Sequence, residues 1–148
     1  MARTEFNLPD FNDPALFAAW GNYLERRTVR AFKQESSPDG QAWTPLRPKT
    51  IERKLRRKSP KSRNKILRDT GALYDSIGTN LLPDGIEFGT NIKVGSYSLG
   101  AIHQYGAPRR NIPPRPFLPL DATGQLLPQD AVALQRITEK FIQAKLNS

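Results

Sequence analysis

The chain contains few residues that could perform catalysis. Its one histidine, His103, has no serine nearby in the Gly-x-Ser-x-Gly pattern that positions a nucleophile, and there is no cysteine to serve instead. Without cysteine, and with scattered carboxylates, no metal-ligand spacing is present. The segment 95–100 matches neither the P-loop nor the dinucleotide-binding pattern. We therefore expect no catalytic residue, no metal and no cofactor, and we expect His103 to be a partly buried structural residue next to Gln104.

The positive charge lies in one segment. The 23 Lys and Arg against 14 Asp and Glu give a net charge of +9, and residues 47–69 hold 11 of the basic and two of the acidic residues. The remaining residues are neutral in sum, so the excess is local, and such a patch attracts nucleic acid or an acidic protein. A segment facing DNA, one facing an acidic protein and a solvated loop all stay open. The candidate contact residues are Arg53, Lys54, Arg56, Arg57, Lys58, Lys61, Arg63 and Lys65.

The elements that must position these residues follow from apolar spacing and from Pro and Gly breakers. The sequence predicts one α+β domain over residues 1–148, with terminal helices packed on a small antiparallel sheet. The hairpin is predicted around Pro83-Asp84-Gly85, with Ile92–Val94 continuing the sheet. The predicted helices lie at 14–35, 50–58, 71–77, 97–105 and 128–146, and residues 59–65 are expected to form a flexible loop.

Two proline-containing segments are predicted to be extended. Trp43–Pro48 contains two prolines, and Trp43 is expected to anchor it in the core. Residues 107–120 are expected to form an ordered arm or an edge strand, because four prolines fall between 111 and 120. Arg115, held between prolines, is predicted to lie exposed at a subunit interface. Phe117 is also a candidate for that interface, although an aromatic residue there fits the core better.

Five groups of residues in a fixed order resemble the phage virion morphogenesis family, also called tail-completion proteins. The resemblance covers residues 32–121, or 90 of 148 residues. The resemblance rests on residues 66–77, on Gly89-Thr90-Asn91 and on the proline-rich residues 112–118. It also includes Thr50 and Lys54 in the basic segment. We expect structural roles, a turn, a core anchor or a helix start, for its remaining motif residues: Asp39, Gly40, Trp43, Pro45, Leu46, Thr70, Gly71, His103 and Gln104.

The resemblance implies a non-enzymatic structural protein of a tailed phage, made in the host cytoplasm and placed in the virion at the neck or the head-proximal end of the tail. It implies a ring of identical subunits, most simply a hexamer. The implied partners are other copies of the chain and adjacent neck, tail-terminator or tail-tube proteins, with genomic DNA in the lumen as a further candidate. No membrane partner is expected, because no apolar stretch approaches about 18 residues. The alternative is a small basic DNA-binding protein without sequence specificity.

Overall fold

The computed structural model describes residues 2–4, 12–56, 65–67 and 72–147. These residues form an α+β fold, as predicted. The helices are α1 (Pro14–Gln34), α2 (Pro48–Arg56), α3 (Ala72–Asp75), α4 (Leu99–Tyr105), a 3₁₀ turn (Pro108–Arg110) and α5 (Pro128–Leu146). The strands are β1 (Ala2–Thr4), β2 (Gly78–Leu82), β3 (Gly85–Gly89), β4 (Lys93–Val94) and β5 (Tyr97–Ser98).

Helix α1 begins and ends at the residues that the sequence indicates. The Asp13 carboxylate accepts a hydrogen bond from the Ala15 N–H at 2.9 Å, and Pro14 occupies the first turn, where no N–H is needed. The helix ends where Glu35 adopts a left-handed conformation, with φ of 51°. One face is buried, and its positions recur at helical spacing, with the polar Thr28 between Leu24 and Ala31. The apolar side chains of this face are Leu16, Phe17, Trp20, Leu24, Ala31 and Phe32.

The main sheet has three antiparallel strands in the order β1, β3, β2. The predicted hairpin is confirmed, with Thr79 opposite Phe88 and Leu81 opposite Ile86. Strand β1 was not predicted, and the expectation that Ile92–Val94 continues this sheet is wrong, because β4 pairs instead with β5 in a separate ribbon. Gly21 lets α1 lie directly on β2, since a Cβ there would approach the Thr79 side chain to 2.7 Å.

Helix α5 packs against α1 through polar contacts inside an apolar interface. The Trp20 indole N–H donates to Thr138 Oγ1 at 2.9 Å, and the Thr138 hydroxyl donates to the Leu134 carbonyl. Asp130 is fully buried and accepts from both Arg27 and Tyr23. These contacts fix the C-terminal helix against the N-terminal one.

Part of the proline-rich segment enters the core, since Arg115, Phe117, Leu118 and Pro119 are buried, whereas residues 108–111 and Pro114 are exposed. The Gln104 side-chain oxygen accepts from the backbone N–H groups of Phe117 and Leu118, and its NH₂ group donates to the Leu118 carbonyl. The backbone N–H of Arg115 donates to the backbone carbonyl of His103 at 2.7 Å. A side-chain amide and a helix carbonyl thus replace the neighbouring strand, because the prolines leave too few N–H groups for a ladder.

Four aromatic rings form the centre of the core. Phe32 lies 5.6 Å from Trp43, 5.1 Å from Tyr74 and 5.5 Å from Phe117, measured between ring centroids. Phe117 is fully buried, which agrees with its fit to the core. This cluster joins α1, the extended segment after it and the proline-rich segment into one body.

Candidate functional site: a basic surface around an open pocket

Helix α2 carries the described part of the predicted basic segment. It starts where the Arg47 carbonyl accepts from the N–H groups of Thr50 and Ile51. Arg53 and Arg56 are exposed, as the sequence suggests. Arg56 forms an ion pair with Glu52 at 2.6 Å, and because both side chains are exposed it contributes little to stability. These arginines are therefore available to a partner.

Lys54 differs from its neighbours and corrects the prediction of an outward-facing lysine. Its side chain is 3% exposed, and its ammonium group donates to the carbonyl oxygen of Lys65. The four carbons of the lysine stem account for the burial, since they pack while the charged end finds a backbone acceptor. Lys54 thus joins α2 to residues 65–67.

Several predicted residues lie outside the described part of the chain. The loop predicted to be flexible, residues 59–65, also lies outside the described residues except for Lys65. Lys65 is exposed. The residues concerned are Arg57, Lys58, Lys61, Arg63, Thr70 and Gly71.

The structure adds basic residues that the sequence analysis assigned to a neutral body. Arg109 and Arg110 lie exposed on the 3₁₀ turn, and Lys93 lies exposed on β4. The Arg47 guanidinium donates to the Asn111 carbonyl at 3.0 Å, which joins this turn to the residue before α2. In the sequence, the one indication of a basic site here is that Arg109 and Arg110 are adjacent. Their proximity to α2 could not be predicted, because it depends on the tertiary fold.

We call the resulting area the basic surface. The Arg110 guanidinium stacks over the Tyr97 ring at 4.4 Å, so the turn and the β4–β5 ribbon belong to the same area. Among the described residues of α2, the 3₁₀ turn and the ribbon, Glu52 is the acidic one, and it is paired. The basic surface consists of Arg47, Lys49, Arg53, Arg56, Lys93, Arg109 and Arg110.

An open pocket of about 370 Å³ lies within the basic surface. Its polar lining includes the side chains of Arg53, Lys54, His103 and Arg115. Its apolar lining comes from five different parts of the chain, so that the pocket exists only in the folded protein. The apolar residues are Leu46, Leu67, Ala72, Leu73, Val94 and Leu99.

Arg115 lies at this pocket, and the prediction that it is exposed is wrong. It is 9% exposed, its Nε donates to the Thr44 carbonyl at 2.8 Å, and its Nη2 donates to the Pro45 carbonyl at 3.1 Å. Burial, helped by the nearby charge of Arg47, lowers the pKa of Arg115. The rigid backbone between prolines directs this side chain inward, where it joins the two extended segments.

Replacing Arg115 by alanine is expected to lower the free energy of unfolding by about 1.5–3 kcal/mol, because two hydrogen bonds from a charged group are lost. Arg115→Lys should recover only part of this, since an ammonium group cannot reproduce the planar fork that reaches both carbonyls. Urea unfolding of both variants measures the effect. An Arg115→Ala variant as stable as the unmodified protein would contradict this assignment.

The motif residues of the first extended segment have structural contacts. The Asp39 carboxylate accepts from the Ser37 hydroxyl and the Gln41 N–H, and Gly40 has φ of 100° in the same turn. The Trp43 indole N–H donates to the Pro116 carbonyl at 2.7 Å. Pro45 supplies a carbonyl to Arg115, and Leu46 lines the pocket. Motif residues that are far apart in sequence thus meet around the proline-rich segment.

His103 lies half-buried at the pocket beside Arg115. Its buried Nδ1 has no hydrogen-bond partner among the described residues. Burial, followed by the charge of Arg115, lowers the pKa of His103 below its ordinary value of 6.5. The imidazole is therefore neutral at pH 7.

The stability of the protein is expected to fall as the pH drops below about 6.5. In that range the unfolded chain binds a proton at this histidine while the folded chain does not, so protons favour unfolding. His103 is the one histidine of the chain, and His103→Gln should flatten the dependence between pH 7 and pH 5.5. Urea melts across this range test the prediction, and an unchanged slope in the variant would disprove it.

Comparison with known proteins identifies the family. The model of the phage virion morphogenesis family matches residues 8–137. The chain belongs to this family. As a member of the phage virion morphogenesis family it has a role in phage virion assembly, which favours a structural, non-enzymatic protein. No curated protein and no solved structure gives a significant match.

None of the described helices is both long and apolar enough to cross a membrane. Within the same residues, no three His, Cys, Asp or Glu side chains are grouped so that they could hold a metal ion.

Proposed function

We propose that this chain is a tail-completion protein that forms a closed ring at the junction of head and tail, most simply a hexamer. The match of residues 8–137 to the phage virion morphogenesis family carries this proposal. The ring contacts neck, tail-terminator or tail-tube proteins, and it is needed to complete the tail or to join it to the head. The protein acts as a structural part of the virion and not as an enzyme.

The open edge of the main sheet supports contacts between copies. Strand β2 pairs with β3 on one side, and no described strand pairs with its other side. Leu81 on this edge strand is 51% exposed. An edge strand that carries an exposed apolar side chain favours pairing with another chain. A second copy of this chain, placed by ring symmetry, is a suitable neighbour.

Electron microscopy of particles made without this protein tests the proposed stage of assembly. We expect heads without tails beside free tails, and we expect restoration of complete particles when the intact gene is supplied in trans. Normal, infectious particles in its absence would refute the proposed function. Particles blocked before the head or the tail is built would refute the stage.

The ring itself is tested by light scattering on the isolated protein and by imaging of virions. We expect a closed assembly in solution, or one that forms when the neighbouring ring is present as a template. A protein that stays monomeric and is also present as a single copy in each particle would contradict the ring.

The basic surface favours a second candidate function, binding of duplex DNA without sequence specificity. Its exposed arginines can contact phosphates, but among the described residues α2 has no partner helix that would seat it in a groove for base recognition. Affinity should then fall with salt at a log-log slope of about −0.9 per phosphate contacted. We would replace Arg56, Arg57, Lys58 and Lys61 by Gln and measure duplex binding and infectivity together. Full infectivity of this variant would show that these charges are dispensable.

A further inference from the structure

We propose that the pocket within the basic surface binds a short segment of a neighbouring virion protein that presents an apolar side chain beside a carboxylate. This inference rests on the proposed structural role in the virion. It goes beyond that role, because it names the binding site and the chemistry of its ligand.

The cationic part of the pocket accounts for the carboxylate. Arg115 uses two of its five N–H donors on the Thr44 and Pro45 carbonyls, and none of the described carboxylates lies within ion-pair distance of it. Arg53 also lines the pocket and makes no ion pair with the described residues. A buried guanidinium with neutral acceptors alone leaves donors for an anion, and carboxylate is the protein anion that fits the arginine fork.

His103 adds a further polar contact for a ligand. Its buried Nδ1 has no partner in the described part of the chain, although such atoms are usually hydrogen-bonded. The ring lines the pocket next to Arg115, so a bound peptide would pack against the imidazole. An unsatisfied polar atom therefore lies in the wall of the pocket, and it can gain a partner if the imidazole turns when a ligand binds.

The apolar part of the pocket favours a protein ligand over DNA. Leucines line much of its wall, and Val94 at the β4–β5 ribbon remains 58% exposed. Covering this surface is favourable only when the ligand itself is apolar, and a phosphodiester backbone offers no such group. Exposed arginines alone would suffice for phosphates. The combination of an apolar wall with a buried arginine matches a residue such as leucine or phenylalanine next to an aspartate or glutamate.

A small probe with both features tests the pocket in the full-length protein. 4-Phenylbutyrate carries an aromatic ring and a carboxylate, and 4-phenylbutyramide is its uncharged counterpart. A ligand of this size binds a matching pocket with a Kd of about 1–10 mM. We expect saturable shifts of the Val94 and Leu99 methyl resonances with 4-phenylbutyrate, and affinity at least tenfold lower for the amide.

Charge-reversal variants locate the binding. Arg53→Glu should weaken 4-phenylbutyrate binding at least tenfold, because Arg53 lines the pocket and is exposed, so that its replacement does not disturb the core. Arg30→Glu, at an exposed position on α1 that does not line the pocket, is the matched control and should leave the affinity unchanged. Thermal melts of both variants verify that they are folded.

Three outcomes would overturn the proposal. They are equal binding of acid and amide, absence of saturation at the pocket methyl groups, and displacement of 4-phenylbutyrate by duplex DNA with equal loss of duplex binding in Arg53→Glu and Arg56→Glu. The last outcome would assign the pocket to DNA. None of these measurements depends on the stage of tail assembly, so failure of the pocket and failure of the proposed function are distinguishable.

Discussion

Replacing Trp43 by alanine is expected to lower the free energy of unfolding by about 3–5 kcal/mol. The Trp43 side chain is buried and packs edge-on against Phe32, with 5.6 Å between ring centroids. Its removal leaves a cavity between α1 and the proline-rich segment, and it leaves the Pro116 carbonyl without its indole donor. The loss is large because packing and a buried hydrogen bond disappear together.

Urea unfolding of Trp43→Ala and Trp43→Phe separates these two contributions. Trp43→Phe keeps an aromatic ring but loses the indole N–H, so we expect a smaller loss than for alanine, of which about 1 kcal/mol reflects the hydrogen bond. A Trp43→Ala variant destabilised by less than about 1 kcal/mol would show that the tryptophan is not a core anchor.

Replacing Arg27 by methionine is also expected to lower the free energy of unfolding by about 3–5 kcal/mol. Asp130 is fully buried, and its Oδ1 accepts from the Arg27 Nε at 2.6 Å and from the Tyr23 hydroxyl at 2.7 Å. Burial, together with this hydrogen bond, raises the pKa of Tyr23 to about 12. Methionine fills much of the arginine volume but leaves the carboxylate charge uncompensated between α1 and α5.

The double variant Arg27→Met/Asp130→Asn tests the cause of this loss. Asparagine is neutral and can still accept a hydrogen bond from Tyr23, so we expect the double variant to be more stable than Arg27→Met alone. Urea melts of the single and double variants give the comparison. Equal destabilisation of the two proteins would mean that the lost charge balance is not the cause.

The long terminal helices and the hairpin could be predicted because their signals are local. Asp13-Pro14 and Pro128 mark helix starts, and Pro83-Asp84 marks a turn between two short apolar strands. Strand β1 has no such signal, since three residues show no periodicity and its pairing depends on β3. Local sequence patterns therefore predict the helices and the hairpin, whereas β1 forms only because β3 is available to pair with it.

Exposure of charged residues could not be predicted from their neighbours in the sequence. Lys54 and Arg115 are buried because backbone carbonyls from distant segments accept their hydrogen bonds. Arg109 and Arg110 belong to the basic surface because Arg47 binds the adjacent Asn111 carbonyl. In each case the deciding partner lies 11 or more positions away, and neither composition nor helical spacing identifies it.

The hydrogen bonds of Gln104 bear on how subunits of the proposed ring would associate. Because this amide holds Phe117 and Leu118 in place within one chain, the segment is already ordered before any neighbour binds. Ordering a flexible segment on association costs about 1–2 kcal/mol per residue in backbone entropy, and a preorganised segment avoids that loss. In the proposed ring, subunits would then dock nearly as rigid bodies, with an association rate that is not limited by folding of the proline-rich segment.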